Sequence, residues 1–407
     1  MEHEEWKNWD QQPEEAESLR AKNRRQKGTI FLLWILVAAL IGGNVFQYSY
    51  RQASSYDKLQ EVQDLIDEKY IGEADPTDLE DAAAAAMVLA TQDRWSYYIP
   101  AADVQAHKEA MANAYVGVGI TILVDQKEDG FYIQQVNPGG PAHEAGLLPG
   151  DILMTIGGKP VKGMESDEAR DLIRGKVHST VDVTVLRGEE TIPFTLERRN
   201  IEVAVATGKM VTENIGLVTI LNFDDRCAEE TIGAIKSLQD QGAEKLIFDV
   251  RFNPGGYAHE LVKLLDFLLP EGDLFTTVDY RGKKQVDRSD KNFLDLPMMV
   301  LVNGDSYSAA EFFAAALREY GAAQIVGEKT SGKGRFQQTH YLQDGSAVNL
   351  SVGKYFTPNG ENLEGVGLTP DVEVTVDQET AGKIVSQLIE PEDDPQLQAA
   401  IRALEEK

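Results

Sequence analysis

The sequence predicts a multidomain α+β protein, and three observations carry that expectation. The chain has 407 residues, more than one compact core holds at a soft prior of about 150 residues per domain. Its periodicity changes along the chain, from helical, to short strands punctuated by glycine and proline, to alternating strand-like and helix-like runs. Ahead of all these stands one uncharged apolar run at residues 29–48.

Residues 1–28 are polar and end in a basic cluster of Arg20, Lys22, Arg24, Arg25 and Lys27. The apolar run that follows has about the 20 residues a helix needs to cross a bilayer. A basic cluster on its N-terminal side predicts that residues 1–28 are cytoplasmic and that the chain after residue 50 is extracytoplasmic. No small-x-small cleavage site follows, so the run reads as an uncleaved, single-pass signal anchor in the cell membrane.

Residues 54–114 predict a small helical domain, with Leu59, Val62, Leu65 and Ile66 spaced for one face and an alanine-rich stretch from Ala82. Trp95, Tyr97 and Tyr98 are expected to fix the turn that ends it. The 39 basic and 67 acidic residues give a net charge of −28, which disfavours nucleic acid as a partner. Cys227 is the one cysteine, which excludes an internal disulfide and a thiolate zinc site, and it reads as packing. The six histidines show no HExxH or other close ligand spacing, so neither a metal nor a cofactor is expected.

From Tyr115 the chain reads YVGVGITILV, then GFYIQQVNPGGPAHEAGLLPGDILMTIGGKPVKG, then a helix near 167–174 and two further strands. Residues 115–200 thereby resemble a PDZ domain. Such a domain adds a chain end as an extra strand at a sheet edge and holds its carboxylate on loop N–H groups. The resemblance implies a carboxylate loop of Tyr115, Val116, Gly117, Val118 and Gly119, and a receiving strand from Val118 through Ile120 to Leu123. It also implies a gating role, for which Arg174 and Lys176 are expected to meet the neighbouring domain.

Residues 201–378 alternate IGLVTIL, KLIFDV and MMVLV with helix-like runs, as α/β layers do. Residues 379–407 read as a helix and a charged tail interrupted by Pro391 and Pro395. Two strand-end loops stand out, DVRFNPGG at 249–256 and VNGDSYSAAE at 302–311. In open α/β sheets such loops hold the ligand. A serine opening a helix has backbone N–H groups beside it and the positive dipole end behind it, which suits an oxyanion as well as a plain N-cap.

A third segment, GEKTSGKGRFQ at 327–337, places a lysine among glycines. The three segments, in this order, resemble the C-terminal processing peptidases, the S41 family. The resemblance implies a core with layers of the ClpP and crotonase kind, Ser308 as nucleophile, Lys333 as general base and Gln337 as the group orienting the lysine. It further implies an oxyanion hole from the N–H groups of Ala309 and Gly255, with Gly256 as the alternative, while Asp249 and Arg251 brace the loop. Tyr307 departs from the small residue usual before the nucleophile, and Ser306 is a second serine in the run. A lysine base must be neutral, and lowering its pKa from about 10.4 to about 7 costs roughly 4 to 5 kcal/mol, which burial can impose.

The expected function is a serine endopeptidase. It would cleave extracytoplasmic proteins through an acyl-enzyme after capture of their C-terminal tails, in a cleft between the PDZ and α/β domains. Expected partners are protein or peptide substrates and the membrane, with a homo-oligomer or an accessory activator compatible with the pattern. The rival readings are an inactive PDZ scaffold and an acyl-transfer enzyme on the same layers.

Overall fold

The structure, a computed structural model, describes Trp34, residues 36–39, Ile41 and residues 58–111, 114–125 and 130–406. The tail expected at 1–28 and most of the anchor expected at 29–48 lie outside the described residues. Those of the run that are described, such as Trp34, Leu36 and Ile41, are helical and exposed. Among the described residues no helix is long and apolar enough to cross a membrane.

The chain falls into two compact units, residues 1–82 and 83–407. In the first, a helical stretch at 58–69 carries Leu59, Val62 and Leu65, all exposed. Helix α1 (Pro76–Leu89) carries the alanine-rich stretch. In the second unit, β1 (Tyr97–Ile99) and α2 (Val104–Met111) follow. The expected helical domain is therefore not separate at its C-terminal end, because β1 pairs with Ala347–Asn349 of a strand far along the chain.

The next strands are β2 (Ala114–Gly117), β3 (Ile120–Asp125), β4 (Gly130–Val136), β5 (Ile152–Ile156), β6 (Lys159–Pro160), β7 (Thr180–Arg187), β8 (Glu190–Glu197) and β9 (Arg199–Glu202). They form a sheet of order β3-β4-β5-β7-β8, to which β6 adds at β5, and a separate β2–β9 ribbon. Alternation along β7 turns Val181, Val183 and Val185 inward onto Phe131, Ile133, Leu153 and Leu196. Helices α3 (Pro141–Ala145) and α4 (Ser166–Ile173) contribute Ala142, Ala169 and Ile173 to the same core. Strand β3 lies at the sheet edge, the geometry that strand addition requires.

The remaining strands are β10 (Ala206–Met210), β11 (Ile215–Ile220), β12 (Lys245–Asp249), β13 (Gly272–Asp279), β14 (Lys284–Ser289), β15 (Met298–Val302), β16 (Ala323–Gly327), β17 (Arg335–Tyr341), β18 (Ala347–Phe356) and β19 (Val372–Glu373). One sheet runs β10-β11-β12-β15-β16-β19, parallel from β11 onward. Its central strands are buried on both faces, which explains why KLIFD and MMVLV are continuous apolar runs. Leu246, Phe248, Val300 and Val302 pack with helices α5 (Cys227–Asp240), α6 (Ala258–Leu268) and α7 (Ala309–Glu319). The second sheet has the order β1-β18-β13-β14, with β17 paired to β18.

The C-terminal segment corrects the expectation of a charged tail. After α8 (Gln378–Val385), helix α9 (Pro395–Glu405) buries Leu397, Ala400, Ile401 and Leu404 against Ile215, Ile247, Met299 and Leu301 on the other face of the sheet. Pro395 does not interrupt this helix. It occupies the first turn, where no intrahelical N–H bond is lost, behind an Asp394 carboxylate that accepts from the N–H groups of Gln396 and Leu397.

Candidate active site

Strand β15 delivers the serine loop and β12 the glycine turn, side by side in the parallel sheet. Ser308 is the residue before α7, buried, with φ 60° and ψ −126°. A non-glycine residue there carries strain of about 1 to 3 kcal/mol, sustained by its surroundings. Gly255 presses against it. A Cβ at Gly255, whose φ is +85°, would stand 2.7 Å from Ser308 Cβ and 2.8 Å from the Ala309 nitrogen, so only glycine permits this approach.

The lysine loop is locked to the serine loop by one fully buried carboxylate. Glu311 accepts from Ser308 N–H at 2.9 Å, from Lys333 N–H and Gly332 N–H at 2.8 Å each, and from the Thr330 hydroxyl at 2.5 Å. Burial pushes its carboxyl above the ordinary range, against hydrogen bonds that favour the charged form. The glutamate ending the serine motif thus holds both loops in register, beyond capping its own helix.

Lys333 is largely shielded. Its Nζ lies 4.8 Å from the Trp95 ring centre and 5.6 Å from that of Tyr307, and these two rings pack at 5.6 Å. Burial lowers its pKa to about 8, opposed by the charges of Glu311, Glu364 and Asp93 and reinforced by Arg94. The bulky Tyr307 therefore covers the lysine. Trp95, from the segment ahead of β1, is a site residue the sequence reading did not connect to Lys333.

Other expected residues fall differently. Ser308 Oγ meets Tyr355 OH at 2.6 Å, and Lys333 Nζ has no hydrogen bond to Ser308 among the described residues. The Gln337 amide donates to Arg335 O at 3.1 Å and Ser351 Oγ at 3.0 Å, and not to the lysine. Gly255 N–H is held by Asn253 Oδ1 at 2.8 Å. Ser306 is structural, because its hydroxyl donates to Val250 O at 2.7 Å and accepts from Asn303 N–H at 3.0 Å. Arg251 braces the glycine turn as expected, bonding Asp249 and also Asp394 and Gln396 from the C-terminal helix. His259 has an acid neighbour, Asp225 at 3.1 Å, but both side chains are exposed.

The cleft around Ser308 has a volume of about 1070 Å³ and is lined by Trp95, Lys333, Gln337, Ala309, Gly255 and Tyr355 among others. No described residue of 115–200 lines it, and the wall facing the serine loop includes Arg94, Trp95, Tyr97, His107, Lys108 and Met111 where the strand-and-turn domain was expected. In that domain Tyr115, Val116 and Gly117 are paired with Arg199–Ile201, and Val118 and Gly119 connect β2 to β3. Val118 is buried, and its carbonyl accepts from Ala142 N–H at 2.9 Å. Arg174 lies over the Tyr115 ring at 4.8 Å. Cys227 is buried with its thiol pushed far up by desolvation, as packing requires.

A profile of peptidase family S41 matches residues 214–374, and a PDZ profile matches residues 104–186. The carboxy-terminal processing protease CtpA of Bacillus subtilis (strain 168) is 34% identical over 322 residues, 78% of this chain and 69% of that protein. The protein named Probable CtpA-like serine protease from Staphylococcus aureus (strain COL) is 31% identical over 326 residues, 79% of this chain and 65% of its own length. An S41 protease structure from Bacteroides fragilis NCTC 9343 shares the fold, with a TM-score of 0.53 at 18% identity over 83% of this chain and 91% of that one.

Proposed function

The chain belongs to peptidase family S41 and is a serine-type carboxy-terminal processing peptidase; from that premise we propose that Ser308 is its nucleophile and Lys333 its general base. The observation that carries this reading is the Glu311 carboxylate, which binds the backbone N–H of both residues and sets both side chains on one cleft. With burial holding it near pH 8, a neutral Lys333 accepts the Ser308 proton as Oγ attacks the scissile carbonyl. The oxyanion forms beside Ala309 N–H, the first of its helix. Gly255 N–H is the second donor once turned from Asn253, with Gly256 as the alternative. Lys333 then gives its proton to the leaving amine, and water, deprotonated by the same lysine, releases the acyl group. Gln337, on the wall of the same cleft, would orient the lysine after a change of partner.

The PDZ domain would capture substrate tails along the free edge of β3, with Val118, Gly119 and Ile120 receiving the terminal carboxylate. The apolar run at 29–48 would anchor the chain with residues 1–28 in the cytoplasm and the protease outside. Degradation of an unfolded protein with an apolar C-terminus by the detergent-solubilised full chain tests the site. Ser308→Ala and Lys333→Ala should each abolish cleavage, and persistence of cleavage in both would sink the assignment.

A further inference from the structure

Tyr355, on β18, is 5% exposed, and its ring is enclosed by Phe312 at 4.6 Å, Phe275 at 5.3 Å and Phe336 at 6.1 Å between centres. Its hydroxyl has one partner among the described residues, Ser308 Oγ at 2.6 Å. A proton inventory favours one direction for that bond. A buried phenol O–H needs an acceptor, and Oγ is the acceptor within reach. If the serine were the donor, the phenol proton would be left unsatisfied among aromatic rings, at the full cost of a buried unpaired donor. The tyrosine therefore donates, leaving the serine its own proton for another acceptor and one lone pair for attack.

We propose that Tyr355 is a catalytic residue, a fixed hydrogen-bond donor to Ser308 Oγ that acts whenever negative charge develops on that atom. The proposal rests on the assignment of Ser308 and Lys333 above. In acylation the Oγ–H bond breaks toward Lys333 Nζ, the Oγ–C bond forms and the carbonyl pair moves to its oxygen. The phenol proton is not transferred, and its bond to Oγ strengthens as the alkoxide character rises. In deacylation the Oγ–C bond breaks, the electron pair returns to Oγ and Lys333 returns the proton, so the same donor assists departure. Desolvation among the three rings raises the phenol well above its ordinary pKa, which keeps it a donor throughout.

A hydrogen bond to a charged acceptor corresponds to about a 10- to 100-fold effect. Full-chain Tyr355→Phe keeps the ring and removes the donor. Its kcat on a peptide substrate should fall by about that factor with KM and the pH midpoint unchanged, and fluorophosphonate labelling of Ser308 should slow in parallel. Tyr355→3-fluorotyrosine, a stronger donor of the same shape, should exceed wild-type kcat, and if the Phe variant fails to fold, a fluorotyrosine rate no higher than wild type overturns the proposal. A Phe variant as fast as wild type or faster, or a fluorotyrosine variant as slow as the Phe variant, overturns the proposal. Lys333→Ala in the same assay separates the two assignments, since full activity there would remove the base while leaving the Tyr355 result to be read independently.

Discussion

Lys333 shows how much of the site one residue's neighbours decide. Its glycine flanks are visible in GKG, but what lowers its pKa is the cover of Trp95 and Tyr307, and no local pattern joins Trp95 to a loop so distant in sequence. Tyr307 was conspicuous as a departure from the small residue usual there, although its role could not be read before the rings were placed. Removing the cover exposes the ammonium to water and returns its pKa toward the usual value of about 10.4. As the proposed base, Lys333 works only when neutral, so activity should rise with pH through that pKa. Tyr307→Ala should therefore shift the midpoint of kcat/KM upward from about 8, by about one unit, and lower the rate at pH 7.5 several-fold. A pH–rate profile of the variant checks both; an unmoved midpoint would mean that Tyr307 does not shield the lysine. Tyr355, by contrast, gave no signal at all, since an inward tyrosine on a strand reads as core.

At the level of elements, the alternation and the continuous apolar runs were legible because period and burial are local properties of the chain. The last helix was misread because its apolar positions, Leu397, Ala400, Ile401 and Leu404, are interspersed with Gln398 and Arg402 and preceded by two prolines. Only the three- and four-residue spacing revealed a face. That helix does more than cover the sheet, for its cap residue Asp394 bonds the Arg251 guanidinium that steadies the glycine turn. Leu404→Ala should destabilise the protein by about 2 to 5 kcal/mol, through lost transfer energy and the cavity left behind. Chemical denaturation would measure it, and a change below about 0.5 kcal/mol would show that the helix is not integral to the core.

Across the whole molecule, the domain order was legible while the composition of the cleft was not. Domains announce themselves by changes of pattern, whereas a cleft joins residues from distant segments. The segment ahead of the PDZ domain supplies β1 to the second sheet and Trp95 to the lysine. A chain beginning at Ala101 should therefore lose at least about ten-fold in kcat/KM at pH 7.5, because the proposed base, Lys333, loses part of its shield. Cleavage assays on the shortened and full chains decide it, and equal rates would reduce the segment to packing.

The backbone at Ser308 bears on how an inert form should be made. Alanine in its place removes the hydroxyl but inherits a conformation, φ 60° and ψ −126°, that no side chain adopts comfortably. Glycine would rest there without complaint. A Ser308→Gly protein would be silent and relaxed at once, the better trap for an intact tail held in the cleft.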